Sequence, residues 1–250
     1  MLEIENNKIC YVFDVDGTLT EHRKKISASF QREFFAWAED KQCFISTGSD
    51  YRKTIEQIGN TVKVFKNIFC CMSNEIREPS GKIIYKSNFA IPHELEYDLG
   101  KLLSESEYLT RTGTHLEFRT GMLNFSIVGR NANNLERDEY SKWDKENKER
   151  EAIVNFVNKN YPTLEASIGG SISVDIIEEG CDKGQTIHFL ENHGASKIVF
   201  VGDRCYPGGN DYGVIRELQK SSMAYEWYNV SGPTDTLSLI RTNKSFGGGK

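Results

Sequence analysis

The 250-residue sequence predicts an α/β fold, a doubly wound parallel-sheet core interrupted by an inserted α+β cap. Three observations predict it. Short apolar runs ending in polar loops recur at both ends of the chain, as strands buried on both faces of a parallel sheet require. Stretches with helical spacing separate them, which is the strand–helix–strand alternation of a doubly wound sheet. The middle of the chain switches to a hairpin and to period-two alternation, so a second block sits inside the first.

Taken in order, Ile9–Phe13 (ICYVF) is predicted as the first buried strand, and Ser27–Asp40 as a helix carrying Phe30, Phe34, Phe35, Trp37 and Ala38. Cys43–Ser46 is the second strand, closed by Thr47-Gly48-Ser49, and Tyr51–Ile58 is helical again. Leu116–Arg119 and Met122–Arg130 flank Thr120-Gly121, a two-residue turn between extended arms, hence a hairpin. Asn134–Asn160 is charged and helical, expected as two helices, and Ser171–Ile177 alternates as a half-buried strand. Thr186–Asn192 is a helix, and Lys197–Val201 is the third buried strand, ending at Gly202-Asp203. The expected borders are residues 1–86 for the first part of the core, 87–179 for the cap and 180–250 for the rest of the core.

Composition narrows the class. Hydrophobic residues at 38% and charged ones at 27% make an ordinary soluble mixture. No run approaches the roughly eighteen apolar residues of a membrane span. The opening MLEIENNK lacks the basic start and apolar stretch of a signal peptide, so a cytoplasmic protein without membrane attachment is expected. A net charge of −5 argues against a nucleic-acid partner. Six cysteines without a C-x-x-C pair are read as reduced, packed thiols. The terminal SFGGGK is read as a frayed tail.

The chemistry starts at Phe13-Asp14-Val15-Asp16-Gly17-Thr18-Leu19-Thr20, at the carboxyl end of the first strand, where ligands of open α/β sheets bind. Carboxylates two residues apart diverge in a strand and converge once the backbone leaves it, which Gly17 permits. Adjacent carboxylates call for a cation or a proton between them, so a hard divalent ion is implied.

This string resembles the first motif, D-x-D-x-T, of the haloacid dehalogenase superfamily. The resemblance implies that Asp14 attacks phosphorus and becomes an aspartyl phosphate, with Asp16 as general acid and base. It implies Mg2+ held by Asp14, the backbone carbonyl of Asp16 and a later acid. Thr47 and Ser49 match the group that holds the transferred phosphoryl, although alone a T-G-S turn reads as a helix cap. Lys183 matches the lysine that neutralises phosphate charge, and Asp203 matches the acid that completes the metal site. Asn210 and Asp211 follow in the same loop, placed to orient metal waters.

In the inserted block, Arg119, Arg130 and Arg137 cluster, and arginine suits a bidentate grip on phosphate. Period two puts Ser171, Ser173 and Asp175 on one face of their strand. Spacing alone weighs this equally with an ordinary solvated hairpin face. The strings FDVDGTLT, EFRTGMLN, Gly129-Arg130, Glu136-Arg137, SIGGSISVD and PGGND resemble the eukaryotic-type phosphomannomutases over nearly the whole chain. That resemblance implies that Arg119, Arg130, Arg137, Ser173 and Asp175 bind the distal phosphate and sugar, with Arg23 reaching over from the core. It implies exchange of mannose 6-phosphate and mannose 1-phosphate primed by a hexose 1,6-bisphosphate, supply of the GDP-mannose pathway, and a homodimer through the cap. The chain departs from the family at Ser73-Asn74-Glu75, Cys181, Arg204 and Thr47, and Tyr212–Ser222 lacks the stretch that forms a second cation site. A sugar-phosphate phosphatase with the same nucleophile is the alternative, and a non-catalytic sugar-phosphate binder is a third reading.

Overall fold

The computed structural model describes residues 9–242; MLEIENNK and SFGGGK lie outside the described residues. The chain opens with β1 (Ile9–Phe13), α1 (Ala28–Ala38), β2 (Gln42–Ser46), α2 (Tyr51–Ile58), a 3-10 turn, β3 (Phe65–Cys70), β4 (Glu75–Arg77) and β5 (Ile83–Lys86). It continues through α3 (His93–Glu105), β6 (Leu116–Arg119), β7 (Met122–Phe125), α4 (Asn134–Asn147), α5 (Glu149–Asn160), β8 (Leu164–Gly169) and β9 (Ser173–Glu178). It ends with α6 (Gln185–Asn192), β10 (Lys197–Gly202), α7 (Tyr212–Lys220), β11 (Ala224–Asn229) and α8 (Pro233–Thr242). Two compact units result. One is residues 9–86 with Asp182–Pro207 and residues 211–242; the other is Ser87–Cys181 with Gly208–Asn210. The second border thus falls at Cys181 where Glu179 was expected.

The first unit is built on a seven-stranded sheet in the order β11-β10-β1-β2-β3-β4-β5. Pairing is parallel from β11 to β3 and antiparallel from β3 to β5. Because the chain winds outward from β1 to β2 and β3, then returns to β10 on the other side, the order reverses beside β1. Such a reversal opens the crevice in which doubly wound sheets bind ligands. One face of the sheet packs Val12, Phe44 and Phe200 against Ile187 and Leu190 of α6 and Val214 and Leu218 of α7. On the other face Phe13 meets Phe34 edge-on at 5.3 Å and Tyr11 meets Trp37 at 5.0 Å. Helix α1 starts where it does because Ser27 Oγ accepts from the Phe30 N–H at 3.2 Å.

The second unit holds a four-stranded antiparallel sheet, β6-β7-β9-β8. Leu123, Phe125, Val174 and Ile176 bury one face against Leu95 and Leu99 of α3, Tyr140 of α4 and Ile153 and Val157 of α5. Its other face carries Glu117, Asn124 and Asp175 in cross-strand register. Two expectations are corrected here. The hairpin's second arm ends at Phe125 instead of Arg130, and Ser171 lies in the turn before β9. The chain leaves the sheet because Ser126 Oγ donates to the Ile172 carbonyl at 2.9 Å and accepts from the Gly129 N–H at 3.2 Å. Gly129 then turns at φ +89°, where a Cβ would stand 2.0 Å from the Thr112 carbonyl oxygen. Between α4 and α5, Lys148 also adopts a left-handed conformation, φ 56°.

Candidate active site

Asp14 begins where β1 stops, its N–H still bonded to the Val201 carbonyl of β10 at 2.9 Å. The backbone then wraps tightly: the N–H groups of Thr18, Leu19 and Thr20 all point at the Val15 carbonyl. Gly17 makes the wrap possible, with φ +81° and no room for a Cβ, which would lie 2.5 Å from Asp203 Oδ2.

That turn brings three acids together. One ligand oxygen from each of Asp14, Asp203 and Asp211 lies within 4.8 Å of the others. Lys183, fully buried ahead of α6, places Nζ 2.6 Å from Asp14 Oδ1 and 2.7 Å from Asp211 Oδ1. Burial opposes the lysine's charge, but Asp14 and Asp211 outweigh it and hold its pKa above the ordinary value. Asp14 is pushed the other way for a carboxyl: burial lifts its pKa well above normal and Asp211 and Asp203 add to the lift, against the pull of Lys183. Burial and Asp211 likewise raise Asp203. Three clustered carboxylates against one ammonium leave an excess of negative charge in a buried place, and hard divalent cations take such oxygen sets. The residues therefore fit a divalent cation.

Asp16 is held differently. Its Oδ1 accepts from the Arg23 backbone N–H at 2.6 Å and from Gln57 Nε2 at 2.8 Å, while the Arg23 side chain is exposed. Arg23 reaches this position in a left-handed conformation, φ 61°. Thr47 follows β2, its N–H on the Phe69 carbonyl and its Oγ1 accepting from the Ser49 N–H at 3.2 Å. The loop after β3 braces this segment through Met72 N–H to the Thr47 carbonyl and Cys71 N–H to the Ser49 carbonyl. Cys71, Met72 and Ser73 are three consecutive left-handed residues, and Ser73 Oγ and Ser46 Oγ both meet Thr186 Oγ1, at 2.6 and 2.9 Å. All six cysteines are free thiols.

The second unit assembles its own polar set. Glu117 Oε2 accepts from Arg119 Nη2 and from Arg130 Nε, both at 2.8 Å. Burial and the adjacent Arg119 pull the Arg130 pKa below its ordinary value, and Glu117 opposes that. Asn124 Nδ2 donates to Ser173 Oγ at 3.0 Å and to Asp175 Oδ1, and Arg130 Nη1 reaches Ser173 Oγ at 3.5 Å. Arg137 is buried and donates to the carbonyls of Ala132 and Arg130, so it ties the Arg130 loop to α4. Of the sequence-derived residues, Asp14, Lys183 and Asp203 gather in the first unit, and Arg119, Arg130, Ser173 and Asp175 in the second. Sequence reasoning missed Gln57, Glu117 and Asn124, and gave Asp211 only metal waters when it also pairs with Lys183. Glu117 and Asn124 were within reach, since both stand in EFRTGMLN, and Glu117 is two residues from Arg119 on the same strand face.

A family model described as eukaryotic phosphomannomutase matches residues 32–244. The phosphomannomutase of Saccharomyces cerevisiae is 34% identical over 246 residues, covering 94% of each chain. That of Solanum lycopersicum is 33% identical over 235 residues, covering 90% of each. Among solved structures, the C-terminal domain of C. albicans trehalose-6-phosphate phosphatase aligns with a TM-score of 0.65 at 14% identity, over 94% of this chain and 91% of that one. A phosphatase of the haloalkanoate (HAD) enzyme superfamily from Bacteroides thetaiotaomicron aligns with a TM-score of 0.60 at 18% identity, over 97% and 96%. At those identities the structural likeness establishes the HAD-like fold. The sequence matches go further, because they run almost end to end: the chain belongs to the eukaryotic phosphomannomutase family.

Proposed function

We propose that the chain is a phosphomannomutase, an intramolecular phosphotransferase that interconverts mannose 6-phosphate and mannose 1-phosphate. The observation that carries this reading is the buried Asp14–Lys183 pair beside Asp203 and Asp211, in a chain whose near-full-length relatives are phosphomannomutases. Asp14 attacks phosphorus and carries the phosphoryl group as an aspartyl phosphate, starting from a hexose 1,6-bisphosphate. Asp16 gives a proton to the leaving sugar oxygen and later takes one from the incoming hydroxyl. Lys183, its charge held by two carboxylates, offsets charge on the transferring group, and Thr47 and Ser49 orient that group. Asp14, the Asp16 carbonyl and Asp203 would hold Mg2+, which when bound would offset negative charge on the phosphoryl group.

A mutase differs from a phosphatase in gripping two phosphates. Arg119, Arg130, Arg137, Ser173 and Asp175 are proposed to hold the phosphate and sugar that are not reacting, and Arg23 is proposed as a further substrate-binding residue. Glu117 supports the reading, since it aligns two guanidinium groups that would otherwise repel. On the family's pattern the protein is a cytoplasmic homodimer joined through the inserted unit, taking small hexose phosphates as its partners and feeding GDP-mannose synthesis. No described helix is long and apolar enough to cross a membrane. The test is product analysis with mannose 1-phosphate, Mg2+ and catalytic glucose 1,6-bisphosphate, with Asp14→Asn as the inactive control. Mannose 6-phosphate is expected; free mannose with inorganic phosphate would overturn the mutase reading in favour of a phosphatase.

A further inference from the structure

The acid–base carboxyl of Asp16 is held from a helix that carries none of the reacting groups. Gln57, in the last turn of α2, places Nε2 2.8 Å from Asp16 Oδ1 and 3.4 Å from Thr20 Oγ1, and its main-chain carbonyl accepts from the Ile26 N–H at 2.8 Å. A single residue thus ties the loop after β1 to α2 at three points. The helix is itself pinned at both ends: Asp50 caps its start, and the Gly59 N–H closes on the Ile55 carbonyl. Helix α2 also follows directly on Thr47-Gly48-Ser49. At 1.5 Å per residue it spans about 10 Å from its Asp50 cap to Gln57.

We propose that Gln57 is a positioning residue for the acid–base step, fixing the Asp16 carboxyl so that Oδ2 is the atom that gives and takes the proton. The inference rests on the phosphoryl-transfer reading above and adds a residue to it. Oδ1 already accepts two N–H donors, from Gln57 and from Arg23, so a proton there would meet both. Oδ2 meets no hydrogen-bond partner among the described residues. As the Asp14–phosphorus bond forms and the bond from phosphorus to the sugar oxygen breaks, the electron pair goes to that oxygen. It takes its proton from Asp16 Oδ2. In the return step the incoming hydroxyl gives its proton to the same atom. Without Gln57, one backbone N–H alone would orient a side chain free to rotate about two torsions, and misplacement by about 1 Å costs on the order of 100-fold in rate.

The experiment compares two phosphoryl donors in single-turnover labelling of Asp14. Glucose 1,6-bisphosphate leaves as a sugar alkoxide that needs the proton; acetyl phosphate leaves as acetate and does not. Gln57→Met keeps the side chain's length without its donor, and Gln57→Glu keeps its shape but opposes Asp16 with a second carboxylate. Labelling from the bisphosphate is expected to fall about 10- to 100-fold in Gln57→Met and further in Gln57→Glu, with labelling from acetyl phosphate changed less than about threefold. Equal losses with both donors in a variant whose Tm matches wild type, or Gln57→Glu matching wild type in labelling, would overturn the proposal; the Tm of each variant identifies a folding defect, and the variant that keeps the wild-type Tm decides. Asp16→Asn, run alongside, separates the two levels. If it discriminates between donors and Gln57→Met does not, the positioning role fails and the acid–base reading stands. If neither variant discriminates, both fall together.

Discussion

Replacing Lys183 by methionine keeps the side chain's length and removes its charge from between two buried carboxylates. Nζ sits 2.6 Å from Asp14 Oδ1 and 2.7 Å from Asp211 Oδ1, and none of the three side chains is more than 4% exposed. Removing one partner of a buried ion pair costs about 3–5 kcal/mol, because the remaining charge is left uncompensated. Here two carboxylates are stranded, so the upper end applies to the metal-free protein near neutral pH. For a chain of this size, about 5 kcal/mol corresponds to a fall of roughly 10–20 °C in Tm. The loss should shrink in acid. Without Lys183, Asp14 loses the one nearby group that lowers its pKa, so its already raised value climbs further. A carboxyl raised on folding contributes stability at low pH that is lost as the pH rises through the folded value, so the deficit belongs to the alkaline side. Adding Asp211→Asn in the Lys183→Met background should restore part of the Tm, since it removes one of the stranded charges. Calorimetry of chelator-treated protein at about pH 7.5 and pH 5 provides the measurement. A Tm within about 3 °C of wild type at the higher pH, or an equal drop at both, would refute the reasoning.

Three further outcomes are expected. Because burial raises both Asp14 and Asp203, protons compete with a divalent cation there, so the Tm gain from saturating Mg2+ should be larger at about pH 7.5 than at pH 5.5 by scanning fluorimetry. A gain independent of pH would place the cation elsewhere. Arg130→Ala removes a charge-assisted contact of about 2–4 kcal/mol, so mutase efficiency should drop about 30- to 1000-fold, with acetyl phosphate labelling of Asp14 changed less than about threefold. Equal losses would mean that Arg130 holds the fold and not the substrate. Lys148→Gly relieves an exposed left-handed residue and forfeits only the surface pair with Glu151, so thermal denaturation should show Tm raised by about 2–4 °C; an unchanged Tm contradicts this.

What could be read from the sequence follows burial. β1, β2 and β10 lie inside a parallel sheet and announce themselves as continuous apolar runs. β3 hides because Lys66 and Asn67 interrupt FKNIFC, one exposed and the other buried with its amide turned to the Arg77 carbonyl. β11 (AYEWYN) is an edge strand with most residues half-buried or exposed, so its pattern carries little apolar signal. In the site, Asp14, Lys183 and Asp203 were singled out because their strings resemble superfamily motifs at strand ends and a helix start; without that resemblance Lys183 reads as a surface lysine. Gln57 was not singled out: it meets Asp16 across 41 residues of chain, and nothing in the spacing of α2 separates it from an ordinary half-buried glutamine. Glu117 was passed over because a carboxylate in an arginine cluster looks like a surface charge until the sheet places it between two guanidinium groups.

The pairing of β1 with β10 has a consequence for synthesis on the ribosome. The Asp14 N–H is anchored on Val201, and Ile9–Phe13 registers against Lys197–Val201, so the strand that leads to Asp14 waits for a neighbour translated after the whole inserted unit. Lys183 also follows the inserted unit, so Asp14 is made well before the cation that pairs with it. The inserted unit, by contrast, has its α3–α5 layer and four-stranded sheet contiguous between Ser87 and Cys181. A nascent chain can therefore complete that unit while the earlier segment is still an open half-sheet, reversing the usual order in which amino-terminal structure forms first. The faces of ICYVF and CFIS that pack on α6 and α7 stay uncovered in the interval.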